Sequence, residues 1–194
     1  MKIVGVTGGI GSGKTSLCKL LSKMGFPVFY TDSEGHTQLN TNKEVHDALE
    51  DRYGKSIFDE KGFPKRPAIA AIVFKDKDEL NWLNSIIHPR VKKAFTDWCG
   101  KQRSELVFKE SAILFEGGFN LDCDFSIQVS CDVEARLKRV LKRDKVNEED
   151  IRNRLKNQMT DAQKEELADF IVYNEDSDLM TPQILDILKL ILKK

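Results

Sequence analysis

No stretch of this sequence is long and apolar enough to cross a bilayer, and the N-terminal apolar run is broken by glycines between Gly8 and Gly13, so neither an anchor nor a secretory signal is expected. Net charge is missing as well. The 31 Lys and Arg cancel the 31 Asp and Glu, which leaves no global field to draw the chain to nucleic acid or to a membrane surface. Only four cysteines occur, Cys18, Cys99, Cys123 and Cys131, with no C-x-x-C pair and no histidine at metal spacing. That usage argues against a disulfide scaffold or a zinc site and predicts reduced, mostly buried thiols in a cytoplasmic protein. Internal repeats and low-complexity tracts are absent too. What remains is 194 residues, 40% hydrophobic and 32% charged, enough for one good core and a small insert.

The strongest positive signal is the opening segment. The apolar strand pattern Lys2-Ile3-Val4-Gly5-Val6-Thr7 runs into Gly8-Gly9-Ile10-Gly11-Ser12-Gly13-Lys14-Thr15, which fits G-x-x-x-x-G-K-[ST]. Glycines let the backbone curl so that successive N–H groups point at phosphate oxygens, where a Cβ would hold the anion away. Lys14 then reaches the β- and γ-phosphates, and Thr15 offers a hydroxyl to Mg²⁺. Apolar residues at helical spacing through Leu17, Leu20 and Leu21 place the loop at a helix N-terminus, whose dipole also favours the anion.

Further apolar runs suited to buried parallel strands lie at Pro27–Tyr30, Leu106–Phe108, Ser126–Ser130 and Phe170–Tyr173, with helical patterns between them. This alternation predicts an α/β fold. From Thr31 to Gly100 the pattern changes to helical spacings such as Val45, Ala48, Leu49 and Leu80, Leu83, Ile86, Ile87, the mark of a helical insertion. Within it, Gly54 to Pro67 is expected to be a loop. The charged stretch Arg136 to Gln158 has a thin apolar stripe, Val140, Ile151 and Leu155, as in a pair of solvated, mobile helices. Thr181-Pro182 followed by Ile184, Leu185, Leu188, Ile191 and Leu192 predicts a closing helix.

A phosphate loop does not by itself separate a kinase from an ATPase or a switch, so the carboxylates after the strands matter next. Asp32 follows the second strand pattern, where a carboxylate can take the proton of an attacking hydroxyl; equally, Thr31, Asp32 and Ser33 are good helix caps. Glu110 is either a holder of Mg²⁺ through water or a surface acid beside Lys109. Glu116 either faces a cleft or is solvated. Arg136, Arg139 and Arg143 share one helical face, which either closes over a phosphoryl group or stays in solvent.

Taken together, these residues resemble one family over nearly the whole chain, the dephospho-coenzyme A kinases. Val6 to Lys14 is similar to the family's extended phosphate loop, Trp82-Leu83-Asn84 with Ile87-His88-Pro89 to its W-L-N…H-P segment, and Ile113-Leu114-Phe115-Glu116 to its P-L-L-F-E. Leu137-Lys138-Arg139, Arg143-Asp144, Gln158, Ala168-Asp169 and Asn174 follow its order and spacing. The resemblance implies a three-layer P-loop kinase fold on a parallel five-stranded sheet, with residues 1–30, 104–135 and 159–194 as the nucleotide-binding core. Residues 31–103 would form the helical substrate-binding insertion and 136–158 the lid. It implies ATP-dependent phosphorylation of the ribose 3′-hydroxyl of dephospho-coenzyme A with Mg²⁺, the last step in making coenzyme A. By the same resemblance Asp32 is the general base, acting with Lys14 and Arg139. Gly9, Gly11, Ser12, Gly13, Lys14, Thr15, Ser16, Arg143 and Asn174 bind ATP. Arg66, His88 and Glu116 bind substrate, and Thr15 and, through water, Glu110 hold the metal. His88 has a second reading, as a support for a turn at Pro89.

The sequence departs from the family's D-A-D at Tyr30 and Thr31, and also at Ala112, at His36 and at Glu175-Asp176. Two other readings stay open. One is another small-molecule or nucleoside monophosphate kinase on the same fold. The other is a GTP switch, for which Asp59-Glu60-Lys61-Gly62 supplies a loose D-x-x-G while Asn42-Lys43-Glu44-Val45 lacks the aspartate of N-K-x-D. No apolar stripe is surplus to the fold, so a monomer or weak homo-oligomer is expected, with a small-molecule substrate and no nucleic-acid or membrane partner.

Overall fold

The structure, a computed structural model, describes residues 1–143, 158–175 and 177–193, with Arg143 described in its backbone alone. It divides into two units, Met1–Tyr30 with Gln102–Lys194, and Thr31–Lys101. In the first unit β1 (Lys2–Thr7), β2 (Val28–Tyr30), β3 (Leu106–Glu110), β4 (Phe125–Ser130) and β5 (Phe170–Tyr173) form one sheet in the order β2-β3-β1-β4-β5. All four pairings are parallel. The central strand is therefore the one that leads into the glycine loop, and all five strands lie where the apolar runs predicted them.

Alternation along the strands gives the sheet two different faces. Val4, Val6, Leu106, Phe108, Ile127, Val129 and Val172 form one core with Leu17, Cys18 and Leu21 of α1 (Lys14–Lys23) and Ile184, Leu188 and Ile191 of the last helix, Met180–Lys193. Pro182 sits in the first turn of that helix, where its missing N–H costs nothing. The opposite face carries Gly5, Lys109, Ser126, Gln128 and Ser130. Polar groups there meet partners in the covering elements: Lys109 meets Asp122 and the Phe119 carbonyl, Ser126 meets Asp169, Gln128 Nε2 meets Asp161, and Ser130 meets Glu165, while Gln128 Oε1 is buried with no hydrogen-bond partner. β3 runs two residues further than its apolar pattern, because Lys109 is buried by that pairing rather than exposed.

α6 (Val133–Arg143) begins before the charged stretch, and Leu137 and Val140 are buried against Ile10 of the glycine loop. This part is thus not the solvated helix that its charge suggested; an apolar seam and the buried Arg136 fix it. The remainder of the expected lid, residues 144–157, lies outside the described residues. α7 (Asp161–Leu167) starts with a capping box in which Thr160 and Gln163 satisfy each other's backbone donors.

The second unit is helical: α2 (Thr31–Thr41), α3 (Lys43–Tyr53), α4 (Arg66–Val73) and α5 (Lys77–Cys99). Its core joins Val45, Leu49, Ile57, Ile69 and Val73. The expected Gly54–Pro67 loop proves shorter and more ordered: Lys55–Ile57 is a 3₁₀ turn, Phe58 pairs with Pro64, and Arg66-Pro67 opens α4. Asp59 of the D-x-x-G accepts the N–H groups of Lys61 at 2.9 Å and Phe63 at 2.8 Å, so it is the pivot of a tight turn. Pro89 makes no turn; α5 continues through it, and Arg90 donates to the Ile86 carbonyl at 2.6 Å beside the missing bond. The reading of His88 as a turn support therefore falls.

Glu79 fastens this unit. It accepts two bonds from Arg52, at 2.8 and 2.7 Å, and one from the Tyr53 hydroxyl, while Arg52 lies 4.5 Å from the centre of the Trp82 ring. The Arg52 bonds first, then that of Tyr53, hold the Glu79 carboxyl down to about 2. A carboxylate depressed in the fold contributes stability above its unfolded pKa and loses it as pH falls through the folded value. Glu79→Gln is therefore expected to lower the melting temperature at pH 7 and to flatten the fall of melting temperature between about pH 4.5 and 2, as thermal melts followed by circular dichroism would register.

Candidate active site

The loop between β1 and α1 is pressed so closely against its neighbours that side chains have no room. A Cβ on Gly8 would lie 2.5 Å from the Val129 carbonyl, and one on Gly13 would overlap the Asn174 amide, which donates to the Ser12 carbonyl at 2.7 Å. Gly13 also takes φ 106°, left-handed backbone that starts α1. Lys14 is buried, with Nζ donating to the carbonyls of Gly8 at 2.8 Å and Gly9 at 3.3 Å. Thr15 and Ser16 follow it exposed in the first turn. Two hydroxyls here, Thr7 Oγ1 and Ser12 Oγ, are buried with no hydrogen-bond partner. Orphaned donors beside a Cβ-free loop at a helix N-terminus fit an acceptor-rich anion such as a nucleotide phosphate.

Glu110 ends β3 in register with Val6 and Tyr30 and is 6% exposed, which removes the surface-acid reading. Burial, and then the Glu110 charge, push the Cys18 thiol far above its usual range, so this thiol is inert. Burial also raises the Tyr30 phenol, followed by Cys18 as a second cause. Tyr30 packs against the main core, and a carboxylate at that place would have faced Glu110 across the ladder.

Asp32 is exposed in the first turn of α2, two residues past β2. In the second unit it shares a neighbourhood with Arg66, at the start of α4, and His36: burial and then Arg66 lower the His36 pKa, while Asp32 opposes them. His88 is half-buried in α5, and burial, then Lys92, lower its pKa. Among the described residues no group of three or more His, Cys, Asp or Glu forms a metal cage. Glu110 and Thr15 are hard oxygen donors of the kind Mg²⁺ takes together with phosphates and water.

Arg139 donates to the Asn174 carbonyl at 2.9 Å and to Cys131 Sγ at 3.1 Å, so the loop, Asn174 and Arg139 are joined in sequence by hydrogen bonds. The backbone of Arg143 ends α6. Glu116 accepts the Met159 N–H at 2.8 Å and pairs at 3.1 Å with Lys164, which is fully buried and also donates to the Ala112 carbonyl at 2.7 Å. Sequence reasoning did not single out Lys164, Gln128 or Asp161, and it left Arg136 between a phosphoryl contact and solvent. Gln128 Nε2 donates to Asp161 at 3.3 Å and Arg136 pairs with it at 3.2 Å. Burial raises the Asp161 pKa against the opposing pull of Arg136 and Lys164. No motif marks Gln128, and the clue to Asp161 was its place after the Thr160 cap.

A parallel sheet whose central strand feeds a glycine loop and then a helix, with a loop lysine and a carboxylate at the neighbouring strand end, defines a P-loop nucleotide-phosphate enzyme or switch. Within that class the chain belongs to the dephospho-CoA kinase family, whose model matches residues 2–179. It is similar to the dephospho-CoA kinase of Bacteroides fragilis strain YCH46, 35% identical over 192 residues, 98% of this chain and 93% of that one. The dephospho-CoA kinase of Porphyromonas gingivalis strain W83 is 36% identical over 195 residues, 100% of this chain and 96% of its own. A solved dephospho-CoA kinase from Campylobacter jejuni has a TM-score of 0.72 at 25% identity and covers 100% and 98% of the two chains. Membership carries the family's reaction, ATP-dependent phosphorylation of dephospho-CoA, the last step of coenzyme A biosynthesis. The substrate is a small molecule, and among the described residues no helix is long and apolar enough to cross a membrane.

Gly13→Ala puts a Cβ on left-handed backbone against the Asn174 amide. It is expected to cost about 1–3 kcal/mol of stability, a fall of roughly 2–12 °C in melting temperature for a chain of this size, and to weaken ATP by at least tenfold in calorimetric titration.

Proposed function

We propose that the chain transfers the γ-phosphoryl of ATP to the ribose 3′-hydroxyl of dephospho-CoA with Asp32 as general base and Lys14 and Arg139 as the cations that follow the moving charge. The observation that carries this reading is Lys14, buried beside a loop whose glycines leave no room for a Cβ and already bonding the carbonyls of Gly8 and Gly9. When phosphates fill the loop, backbone N–H groups and the Thr7 and Ser12 hydroxyls gain acceptors, and Lys14 exchanges carbonyls for phosphate oxygens. Gly9, Gly11, Gly13, Thr15 and Ser16 complete that cradle, with Asn174 bracing it through Ser12. Thr15 and, through water, Glu110 would hold Mg²⁺, which would supply positive charge to offset that of the phosphates.

Asp32 is supported by its exposure and its place just beyond the carboxyl end of a parallel strand, where α/β sheets bind their ligands. As a base it accepts the proton of the 3′-hydroxyl while that oxygen bonds to phosphorus, and ADP leaves with the electron pair of the broken P–O bond. Arg66 beside it offers a fork for a substrate phosphate. His88 and Glu116 are assigned to the substrate side and Arg143 to the ATP phosphates. Residues 31–103 serve as the substrate-binding unit and 136–158 as a lid over the core formed by 1–30, 104–135 and 159–194, a division supported by the separate helical core around Val45, Leu49 and Ile69. Cys18, Cys123 and Cys131 are free thiols, which supports a reducing, cytoplasmic setting.

Lys14→Ala is expected to reduce phosphoryl transfer by about a hundredfold or more. Asp32→Asn is expected to lower kcat by roughly 10²–10⁴ while the ATP dissociation constant moves less than about threefold. Steady-state kinetics beside calorimetric ATP titration separate the two effects, and near-normal turnover of Asp32→Asn would remove it as the base.

A further inference from the structure

One arginine of the α6 face is used by none of the assignments above. Arg136 is 5% exposed, and its Nη1 lies 3.2 Å from the Asp161 carboxylate, whose Oδ1 also accepts from Gln128 of β4 at 3.3 Å. The guanidinium lies against the glycine loop: a Cβ on Gly9 would overlap Arg136 Nη1 and lie 3.4 Å from Asp161 Oδ1. Its backbone does the same one step along, since a Cβ on Gly11 would lie 2.8 Å from the Arg136 carbonyl. Gly9 is therefore enclosed by two cations, Arg136 against its Cα and Lys14 donating to its carbonyl at 3.3 Å. Arg136 Nε is buried with no partner, as are the Thr7 and Ser12 hydroxyls on the loop that it covers.

We infer that Arg136 is a positioning residue for ATP: anchored by Asp161 and Gln128, it sets the curvature of the loop from Gly9 to Gly11 and so the spacing of the N–H groups offered to the phosphates. The inference rests on the reading of this loop as the ATP site. Charge alone does not meet the requirement, because a planar fork fills the space beside Gly9 and an ammonium does not. Asp161 is required as the group that holds the fork against the loop. The pair also ties α6 to α7, the helices on either side of residues 144–157.

The test compares wild type with Arg136→Gln, Arg136→Lys and Asp161→Asn. It measures KM for ATP and for dephospho-CoA, kcat, the melting temperature and the amide ¹H–¹⁵N shifts of Gly9 and Gly11 without nucleotide. Arg136→Gln is expected to raise the KM for ATP at least tenfold and to move that for dephospho-CoA less than twofold. Arg136→Lys restores the charge and is expected to recover less than half of the loss on a logarithmic scale. Asp161→Asn is nearly isosteric and is expected to raise the KM for ATP at least fivefold and to shift the same two glycine amides. The double variant is expected to be no worse than Arg136→Gln alone, since both act through one contact. A KM for ATP within twofold of wild type in Asp161→Asn, or in a folded Arg136→Gln, would overturn the inference, as would full rescue by lysine. Binding of ATP by wild type and its loss in Lys14→Ala tests the loop assignment separately, so the two failures are distinguishable.

Discussion

The rest of this structure depends on how closely a bare backbone can be packed. From Gly8 to Gly13 the chain touches the Val129 carbonyl, Arg136, Val140 and the Asn174 amide at distances that no Cβ tolerates. That closeness is what aims N–H groups inward, and it needs a rigid support on every side. The support is the central parallel strand β1, flanked by β3 and β4, with apolar side chains on one face. Buried cations oppose it on the other side: Lys14, Lys109, Lys164 and Arg136 are each 8% exposed or less, and each bonds to a carbonyl or carboxylate of this unit.

Those cations explain a feature of the sheet that hydrophobicity does not. One face follows the expected rule for a parallel sheet, a dry aliphatic layer under α1 and the last helix. The other face sets buried polar groups beside apolar ones such as Val107, and those polar groups meet carboxylates of the segments that cover it, Asp122, Asp161, Glu165 and Asp169. Leaving one such partner out strands a charge or a hydroxyl in low dielectric, so the arrangement specifies one packing of these segments and no other. The same logic gives Glu116 a structural partner in Lys164 whatever it does for substrate.

The strands and the glycine loop were legible because their signals are local. An apolar run flanked by turn residues, or a spacing of glycines before Lys14, carries its meaning within a dozen residues. Strand β3 outran its pattern because Lys109 is polar in sequence and buried in space, a fact set by Asp122 far along the chain. The loop expected at Gly54–Pro67 was overdrawn for a related reason: its glycines and prolines do mark breaks, but Asp59 organises what lies between them. The charge run in α6 misled most. Leu137, Val140 and Arg136 turn inward onto Ile10, Gly9 and Gly11, and no helical periodicity reveals a cation that is wanted inside. The family resemblance supplied Asp32, Arg66 and Arg139, which composition and spacing left among alternatives.

On the proposed reading, this loop and its cations direct phosphate to one hydroxyl of one small molecule. The most direct measurement incubates the protein with ATP, Mg²⁺ and dephospho-CoA and locates the added phosphate in the product by ³¹P and ¹H NMR. A single phosphate on the ribose 3′-oxygen, formed mole for mole with ADP and only when dephospho-CoA is present, is expected. ADP released without a phosphorylated acceptor, or phosphate found on another oxygen, would contradict it.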